Sequence, residues 1–353
     1  MNDQTSGPDD VLVDVRGLKV HFPIKLGVVF DRTVGYVYAV DGVDLQIRRG
    51  ETYGLVGESG CGKSTLGRAI LNLETVTAGS VTFDGVDVAS LKGETLRRQR
   101  QHMQMVFQDP MSSLDPRQSV ESLLVEGMRA HGLDTDKVAT QARLRELLSA
   151  VGLPTAALAK YPHEFSGGQR QRIGIARALS VGPTLIVADE PVSALDVSVQ
   201  AQVLNVIERL RDELSLTCLF IAHDLSVVRH VCSRIAVMYL GKVVEIATRE
   251  QLFNSPQHPY TQALLSAVPS PDPAVERTRS RIILSGELPS AVNPPSGCRF
   301  RTRCPLTTEI CTREEPALEA KASGGLVACH HVAQALGSSA KTTAGSPKSW
   351  EPA

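Results

Sequence analysis

The chain has 353 residues, 42% hydrophobic and 21% charged, an ordinary globular composition with room for one large domain plus an appendage. Its 37 basic and 38 acidic residues leave a formal net charge of −1, too little field to draw in nucleic acid or an anionic membrane. Apolar runs such as 185–188 and 219–222 fall far short of the roughly 20 residues that span a bilayer, and Met1-Asn2-Asp3-Gln4 lacks the basic start and apolar core of a secretory signal.

Residues 1–10 are polar and are expected to be disordered. From Val11 to about Ile47, alternating apolar residues (Val11, Val13, Val15; Val43, Leu45, Ile47) predict antiparallel strands. Thr52 to Val56 is a short apolar strand that runs into Gly57-Glu58-Ser59-Gly60-Cys61-Gly62-Lys63-Ser64, a complete G-x-x-x-x-G-K-S phosphate loop. Helical spacing (Leu66, Ile70, Leu73) follows, so the motif has its required strand–turn–helix setting. Its glycines let backbone N–H groups approach phosphate oxygens, and the helix adds its positive N-terminal end. Gly57, Ser59, Gly60, Cys61, Gly62, Lys63, Ser64 and Thr65 are the candidate ATP contacts. Lys63 is expected on the β- and γ-phosphates and the Ser64 hydroxyl on Mg²⁺. Cys61 lies at a helix N-terminus, where a thiolate is favoured, although any small residue would fit there; an alkylating agent is expected to block ATP binding, with ATP protecting.

From about Ser119 to Lys160 the periodicity is helical (Leu123, Leu124, Met128; Leu144, Leu147, Leu148, Val151), interrupted at Gly152-Leu153-Pro154. Helix resumes after Ser166-Gly167-Gly168, and Leu185-Ile186-Val187-Ala188 reads as a buried strand ending in Asp189-Glu190. An amphipathic helix (199–214) and a second buried strand (Thr217 to Ala222) come next. Pro256, Pro259, Pro269, Pro271 and Pro273 mark a composition change near 265–275, and the tail from Gly337 is expected to be disordered. Seven cysteines, an odd count without an export signal, point to a reducing cytoplasm and away from a disulfide framework. Four of them, Cys298, Cys304, Cys311 and Cys329, sit among turn residues and suggest a metal. Their spacing is wider than the tight pairs usual for zinc, although His330 or His331 could replace Cys329 in a zinc site. Arg299, Arg301, Arg303 and Arg313 are placed to offset thiolate charge.

The phosphate loop, the run Ser166-Gly167-Gly168-Gln169-Arg170 and the Asp189-Glu190 strand end together resemble the ABC-transporter ATPase family. That resemblance implies an α/β fold: a RecA-like P-loop core with an antiparallel β subdomain and a helical subdomain, plus a small C-terminal cysteine-bearing extension. The expected divisions are an ATP-binding domain over 11–265, its helical part at about 112–170, an extension over 266–332 and a tail over 333–353. The resemblance implies a role for each motif. Asp189 would bind Mg²⁺ with Ser64 and Gln108, and Glu190 would polarise the attacking water. Gln108, in Val106-Phe107-Gln108, would be the Q-loop glutamine and His223 the switch histidine. Asp196, in Ser193-Ala194-Leu195-Asp196, would signal across the dimer. Ser166, Gly167, Gly168 and Gln169 would close on ATP held by the partner's phosphate loop. Phe22 aligns with the adenine-stacking position, with Tyr36 and Tyr38 as competitors.

The segment 284–298, which ends in Ser296-Gly297-Cys298, resembles the C-terminal extension of oligopeptide/dipeptide importer ATPases, some of which hold a 4Fe–4S cluster. Cys298, Cys304, Cys311 and Cys329 are therefore the expected cluster ligands, with zinc and no metal as the competing readings. An insertion between Lys25 and Tyr38 and the segment Tyr239 to Glu245 resemble the second of two ATPase subunits. The implied partners are a different ATPase subunit, two transmembrane permease subunits and, indirectly, an extracytoplasmic solute-binding protein, with no nucleic acid. The implied location is the cytoplasmic face of the membrane. The solute class would be peptides; nickel, glutathione or another small solute is the alternative, and a soluble ATPase acting on nucleic acid or ribosomes is a remoter one.

Overall fold

The computed structural model describes residues 10–26, 32–269, 276–277, 281–321 and 324–332. The expectations for residues 1–9, for part of the Lys25–Tyr38 insertion, for Pro271 and Pro273, and for the tail from 333 lie outside those residues. The described strands, in chain order, are β1 (Val11–Leu26), β2 (Arg32–Arg48), β3 (Thr52–Val56), β4 (Ala78–Phe83), β5 (Val86–Asp87), β6 (Met103–Val106), β7 (Leu185–Asp189), β8 (Thr217–Ala222), β9 (Arg234–Tyr239), β10 (Lys242–Thr248), β11 (Glu319–Ala320) and β12 (Leu326–Val327). They form a four-stranded sheet ordered β2-β1-β4-β5 and an eight-stranded sheet ordered β11-β12-β10-β9-β3-β8-β7-β6.

In the larger sheet, β6, β7, β8, β3 and β9 run parallel. Parallel strands carry apolar residues on both faces because helices cover both sides. Cys218, Phe220 and Ala222 of β8 join one hydrophobic cluster while Leu219 and Ile221 join the other. The register aligns the strand ends: Val106 pairs with Ala188, Asp189 with Ile221, and Val56 with Ala222. Loops that leave these four strands therefore emerge side by side at one edge, the place where open α/β sheets bind ligands. Strand order, not proximity in sequence, gathers the motifs.

The long helical periodicity of 119–160 resolves into two helices, Val120–Ala130 and Lys137–Ala150, separated by a turn at Gly132 with φ of 69°. Each starts on a side-chain cap, Ser119 and Asp136 respectively, which sets where it begins. The region beyond residue 265 does not hang off the core as a separate appendage. Its strands β11 and β12 extend the main sheet, with Glu245 opposite Val327 and Ile246 opposite Leu326. Phe300 is buried in the same cluster as the β8 residues, with Leu284, Ala291, Cys298 and Cys304 packed against it.

Candidate nucleotide site

The phosphate loop leaves the end of β3 and has no room for side chains at two of its glycines. A Cβ at Gly57 would meet the Met238 carbonyl oxygen at 2.1 Å, and one at Gly62 the Ala39 carbonyl oxygen at 2.0 Å. Gly62 also adopts a φ of 105° as the N-cap of helix Lys63–Ile70, and it brings no side chain to bond the first-turn N–H groups. Lys63 is buried, and its Nζ donates to the carbonyls of Gly57 (2.9 Å) and Glu58 (3.0 Å). The loop is thus wrapped around its own lysine, with Ser59 and Gly60 exposed at the tip and Thr65 half-buried on the first helical turn. Cys61 corrects the expectation of a reactive thiolate. Its side chain points into the core at 1% exposure, and burial raises its thiol above the ordinary value, only partly offset by Lys63.

Across the sheet edge, the Ser64 hydroxyl donates to Asp189 Oδ1 at 2.8 Å. Burial pushes the Asp189 carboxyl up, against the lowering effect of that hydrogen bond and of nearby Arg68 and Lys63. A buried carboxylate beside a hydroxyl is a hard-oxygen pair that suits Mg²⁺, which takes one or two carboxylates and completes its shell with phosphate and water. Glu190 follows with φ of 45°, an unusual left-handed conformation for a residue with a long side chain. Its Oε2 accepts from Gln108 Nε2 at 3.1 Å and lies 3.1 Å from His223 Nδ1. Three residues from three strand ends, up to 115 positions apart in sequence, therefore meet at one carboxylate oxygen. Both contacts use Oε2, which leaves Oε1 to face a reactant.

Ser166 caps helix Gly167–Leu179 through a reciprocal box: its hydroxyl accepts from Gln169 N–H, and Gln169 Oε1 accepts from Ser166 N–H at 3.0 Å. Gly168 must lack a side chain, because a Cβ there would sit 2.2 Å from Val199 on helix Val197–Leu214. Ser166, Gly167 and Gln169 are exposed and do not meet Lys63 or Glu190 through any hydrogen bond among the described residues. Asp196 is likewise exposed at the N-cap of helix Val197–Leu214 and makes no side-chain cap bond. These residues form a second, outward-facing group.

Phe22 on β1 is 36% exposed and pairs with Val37. Because side chains alternate along a strand, Phe22 faces opposite to Tyr36 and Tyr38, which pair with Pro23 and His21. Tyr38 packs its ring edge-on against His21 at 4.6 Å, and its backbone N–H donates to Ala291. All seven cysteines are free thiols. Each of Cys298, Cys304, Cys311 and Cys329 lies within the electrostatic reach of the other three, and burial pushes Cys298 up to about 11. Among the described residues, however, no group of three or more His, Cys, Asp or Glu side chains could hold a metal ion. The expected zinc or 4Fe–4S site therefore gains no support from preformed ligand geometry. Nor are the arginines turned to the thiols: Arg299 pairs with Asp41, Arg303 with Glu58 and Arg313 with Glu309, while Arg301 bonds Ser296.

Two contacts to the phosphate loop have no local signature in the sequence. Tyr260 hydroxyl accepts from Glu58 N–H at 2.9 Å, and Arg303 Nη1 donates to the Glu58 carboxylate at 2.8 Å, from 202 and 245 residues away.

The family model described as ABC transporter matches residues 40–193, and the one described as oligopeptide/dipeptide transporter, C-terminal region, matches 244–311, which takes in three of the four clustered cysteines. The oligopeptide transport ATP-binding protein AppF of Bacillus subtilis is 51% identical over 327 residues, covering 92% of this chain and 99% of that protein. This chain belongs to the ATP-binding subunits of ABC transporters. The oligopeptide transport ATP-binding protein OppF of Salmonella typhimurium is 50% identical over 310 residues, covering 88% of this chain and 93% of its own length. Among solved structures, the dimeric ATP-binding cassette MJ0796 bound to ADP and Pi is 27% identical with a TM-score of 0.59, covering 67% of this chain and 98% of that one. The cassette cbiO1 from Clostridium perfringens has the same fold at 23% identity, with a TM-score of 0.61, covering 70% of this chain and 92% of its own.

Proposed function

We propose that this chain hydrolyses ATP to drive the import of peptides through a membrane ABC transporter. The observation that carries the ATPase reading is the meeting of Gln108 and His223 on Glu190 Oε2, beside the Ser64–Asp189 pair. The peptide reading is supported by the named activity of relatives about half identical over nearly the whole chain.

The residues divide the work. Lys63 leaves its loop carbonyls to meet phosphate oxygens, and the loop N–H groups beside Gly60 and Gly62 cradle them. Ser64 and Asp189 would hold Mg²⁺, which neutralises phosphate charge when bound. Glu190 Oε1 orients water for in-line attack and accepts its proton late, while Gln108 and His223 fix the carboxylate. Ser166 and Gln169 face outward, which fits a role on nucleotide bound by a second cassette; the dimeric MJ0796 cassette supports such pairing. Closure of the pair is driven by the difference in ATP affinity between open and closed states.

Permease subunits are the partners this function needs, since no helix among the described residues is long and apolar enough to cross a membrane. A cleft of about 250 Å³ beside Gln108, lined by Leu73, Arg100, Phe107 and His131, is the surface we assign to them. The chain would then sit at the cytoplasmic face, paired with a different ATPase subunit and served by an extracytoplasmic binding protein. A 4Fe–4S cluster on Cys298, Cys304, Cys311 and Cys329 is a further proposal, carried by the likeness of segment 284–298 to the importer extensions and not by preformed ligand geometry. Such a cluster would tie the extension together. Iron and acid-labile sulfide in anaerobically purified protein test it; stoichiometric zinc, or no metal, overturns it.

Function is tested by deleting the gene and measuring uptake of a labelled tripeptide. Uptake should fall and be restored by the wild-type chain but not by Lys63→Ala. Undiminished peptide uptake, with loss of nickel or glutathione uptake, would move the chain to that alternative.

A further inference from the structure

The short segment between Cys298 and Cys304 grips the phosphate loop from outside the ATP-binding core. Phe300, at 1% exposure, is its anchor, packed against Tyr239, Tyr260 and His258 with ring centroids 5.2, 5.4 and 5.5 Å away. Backbone bonds from Arg301 N–H to Cys298 and from Arg303 N–H to Phe300 coil the segment into consecutive turns. The turns send two arginines to the core. Arg299 donates to the Leu240 carbonyl and pairs with Asp41. Leu240 and Gly241, both with positive φ, form the two-residue turn between β9 and β10, and Gly241 N–H donates to the Cys61 carbonyl at 2.9 Å. Arg303, with its side chain 11% exposed, holds the Glu58 carboxylate at 2.8 Å. Glu58 is thereby fixed at three atoms: its carboxylate by Arg303, its N–H by Tyr260, and its carbonyl by Lys63.

A phosphate loop binds by presenting N–H groups in a fixed curve, so any freedom at Glu58 is freedom in the cradle itself. We propose that Arg303 is a positioning residue for ATP binding: through Glu58 it holds the phosphate loop in its nucleotide-receiving shape, making ATP affinity depend on the docked extension. This rests on the ATPase reading above. It adds a control point that lies 240 residues beyond Lys63. Arg303 touches no reactant in this scheme and acts only through Glu58.

The test is a double-mutant cycle on the full chain, read as MgATP dissociation constant and as KM and kcat for hydrolysis. Arg303→Ala and Glu58→Gln should each weaken MgATP binding about 10-fold, the scale of losing one charge-assisted hydrogen bond. KM should rise with kcat within about 2-fold, because the loss falls on uniform binding. The double variant should bind no worse than either single one, and Arg303→Lys should recover part of the loss. Additive effects in the cycle, or unchanged affinity in Arg303→Ala, would overturn the proposal. Lys63→Ala separates the two levels: if it abolishes MgATP binding while Arg303→Ala changes nothing, the positioning role fails and the ATPase reading stands. If the wild-type chain binds no MgATP, the ATPase reading itself fails. Should Arg303→Ala fail to fold, Glu58→Gln with Arg303→Lys carries the same comparison without emptying the site.

Discussion

Replacing Glu190 with glutamine is the sharpest perturbation of the candidate site, because it changes one atom's chemistry and almost no volume. In the native chain Oε2 is engaged by Gln108 and His223, each at 3.1 Å, and Oε1 is left to act on water. An amide keeps one acceptor oxygen but loses the negative charge, so it can neither polarise water nor take its proton. Loss of a positioned general base costs about 10²- to 10⁴-fold in rate, and positioning by Gln108 and His223 survives in part, so we expect about 10²- to 10³-fold. That corresponds to about 3–4 kcal/mol of transition-state stabilisation. The phosphate loop and the Ser64–Asp189 pair are untouched, so MgATP affinity should stay within about 3-fold of wild type. Phosphate release from the purified chain measures turnover, and light scattering with MgATP should find an accumulated dimer, since closure survives while hydrolysis stops. Turnover within about 3-fold of wild type would refute the assignment of Glu190 as the water-orienting group.

Ser166→Ala should slow hydrolysis in the assembled pair while MgATP affinity of the isolated monomer stays unchanged; collapse of monomer affinity would mean that Ser166 serves its own phosphate loop. Alkylation of native protein near pH 7, followed by peptide mapping, should leave Cys61 unlabelled, because it is buried with a raised thiol value; rapid ATP-protected labelling would restore the reactive reading. His258 should make stability fall in mild acid. Burial lowers it from 6.5 to about 3, and its Nδ1 already accepts from Tyr260 N–H, so only the neutral ring fits. A depressed value contributes stability above about 6.5 that is lost as pH falls toward about 3, on the order of 1 kcal/mol by pH 5.5. Glu245, raised by burial and bonded to His258 N–H, acts in the opposite sense, losing its contribution as pH rises above 4.5. The comparison is therefore between wild type and His258→Asn by denaturant unfolding; an unchanged slope below pH 6.5 would exclude His258 as the source.

What could be read from the sequence is what is built locally. The phosphate loop is a strand, a glycine-rich turn and a helix in immediate succession, although what confines Gly57 and Gly62 are the Met238 and Ala39 carbonyls of other strands. The Ser166–Gln169 box is local as well, three residues folding back on one helix end. Asp189 could be named from its apolar strand and set beside Ser64 only through the family resemblance, because their contact depends on the β3-β8-β7 strand order. The left-handed turn at Glu190 left no trace either, since its φ is imposed by the chain leaving β7, with Glu190 N–H bonded to Ile221 across the sheet. Cys61 misled because a position at a helix N-terminus says where the backbone charge lies and nothing about which way the side chain turns.

The arginines of the extension carry the same lesson furthest. Set among four cysteines, Arg299 and Arg303 look like counter-ions for thiolates, and composition alone supports that reading. In the folded chain each finds an acidic partner from the core instead, Asp41 and Glu58, at 258 and 245 residues' remove. A guanidinium kept at 7% or 11% side-chain exposure needs a carboxylate close by, because burying it unpaired would be costly. Phe300 is buried in the core cluster with Cys298 and Cys304 packed against it, while Arg299 and Arg303 turn to carboxylates of the core. The extension is then joined to the ATP site by charge as well as by packing: Arg303 holds the Glu58 carboxylate, and the Glu58 carbonyl accepts from Lys63.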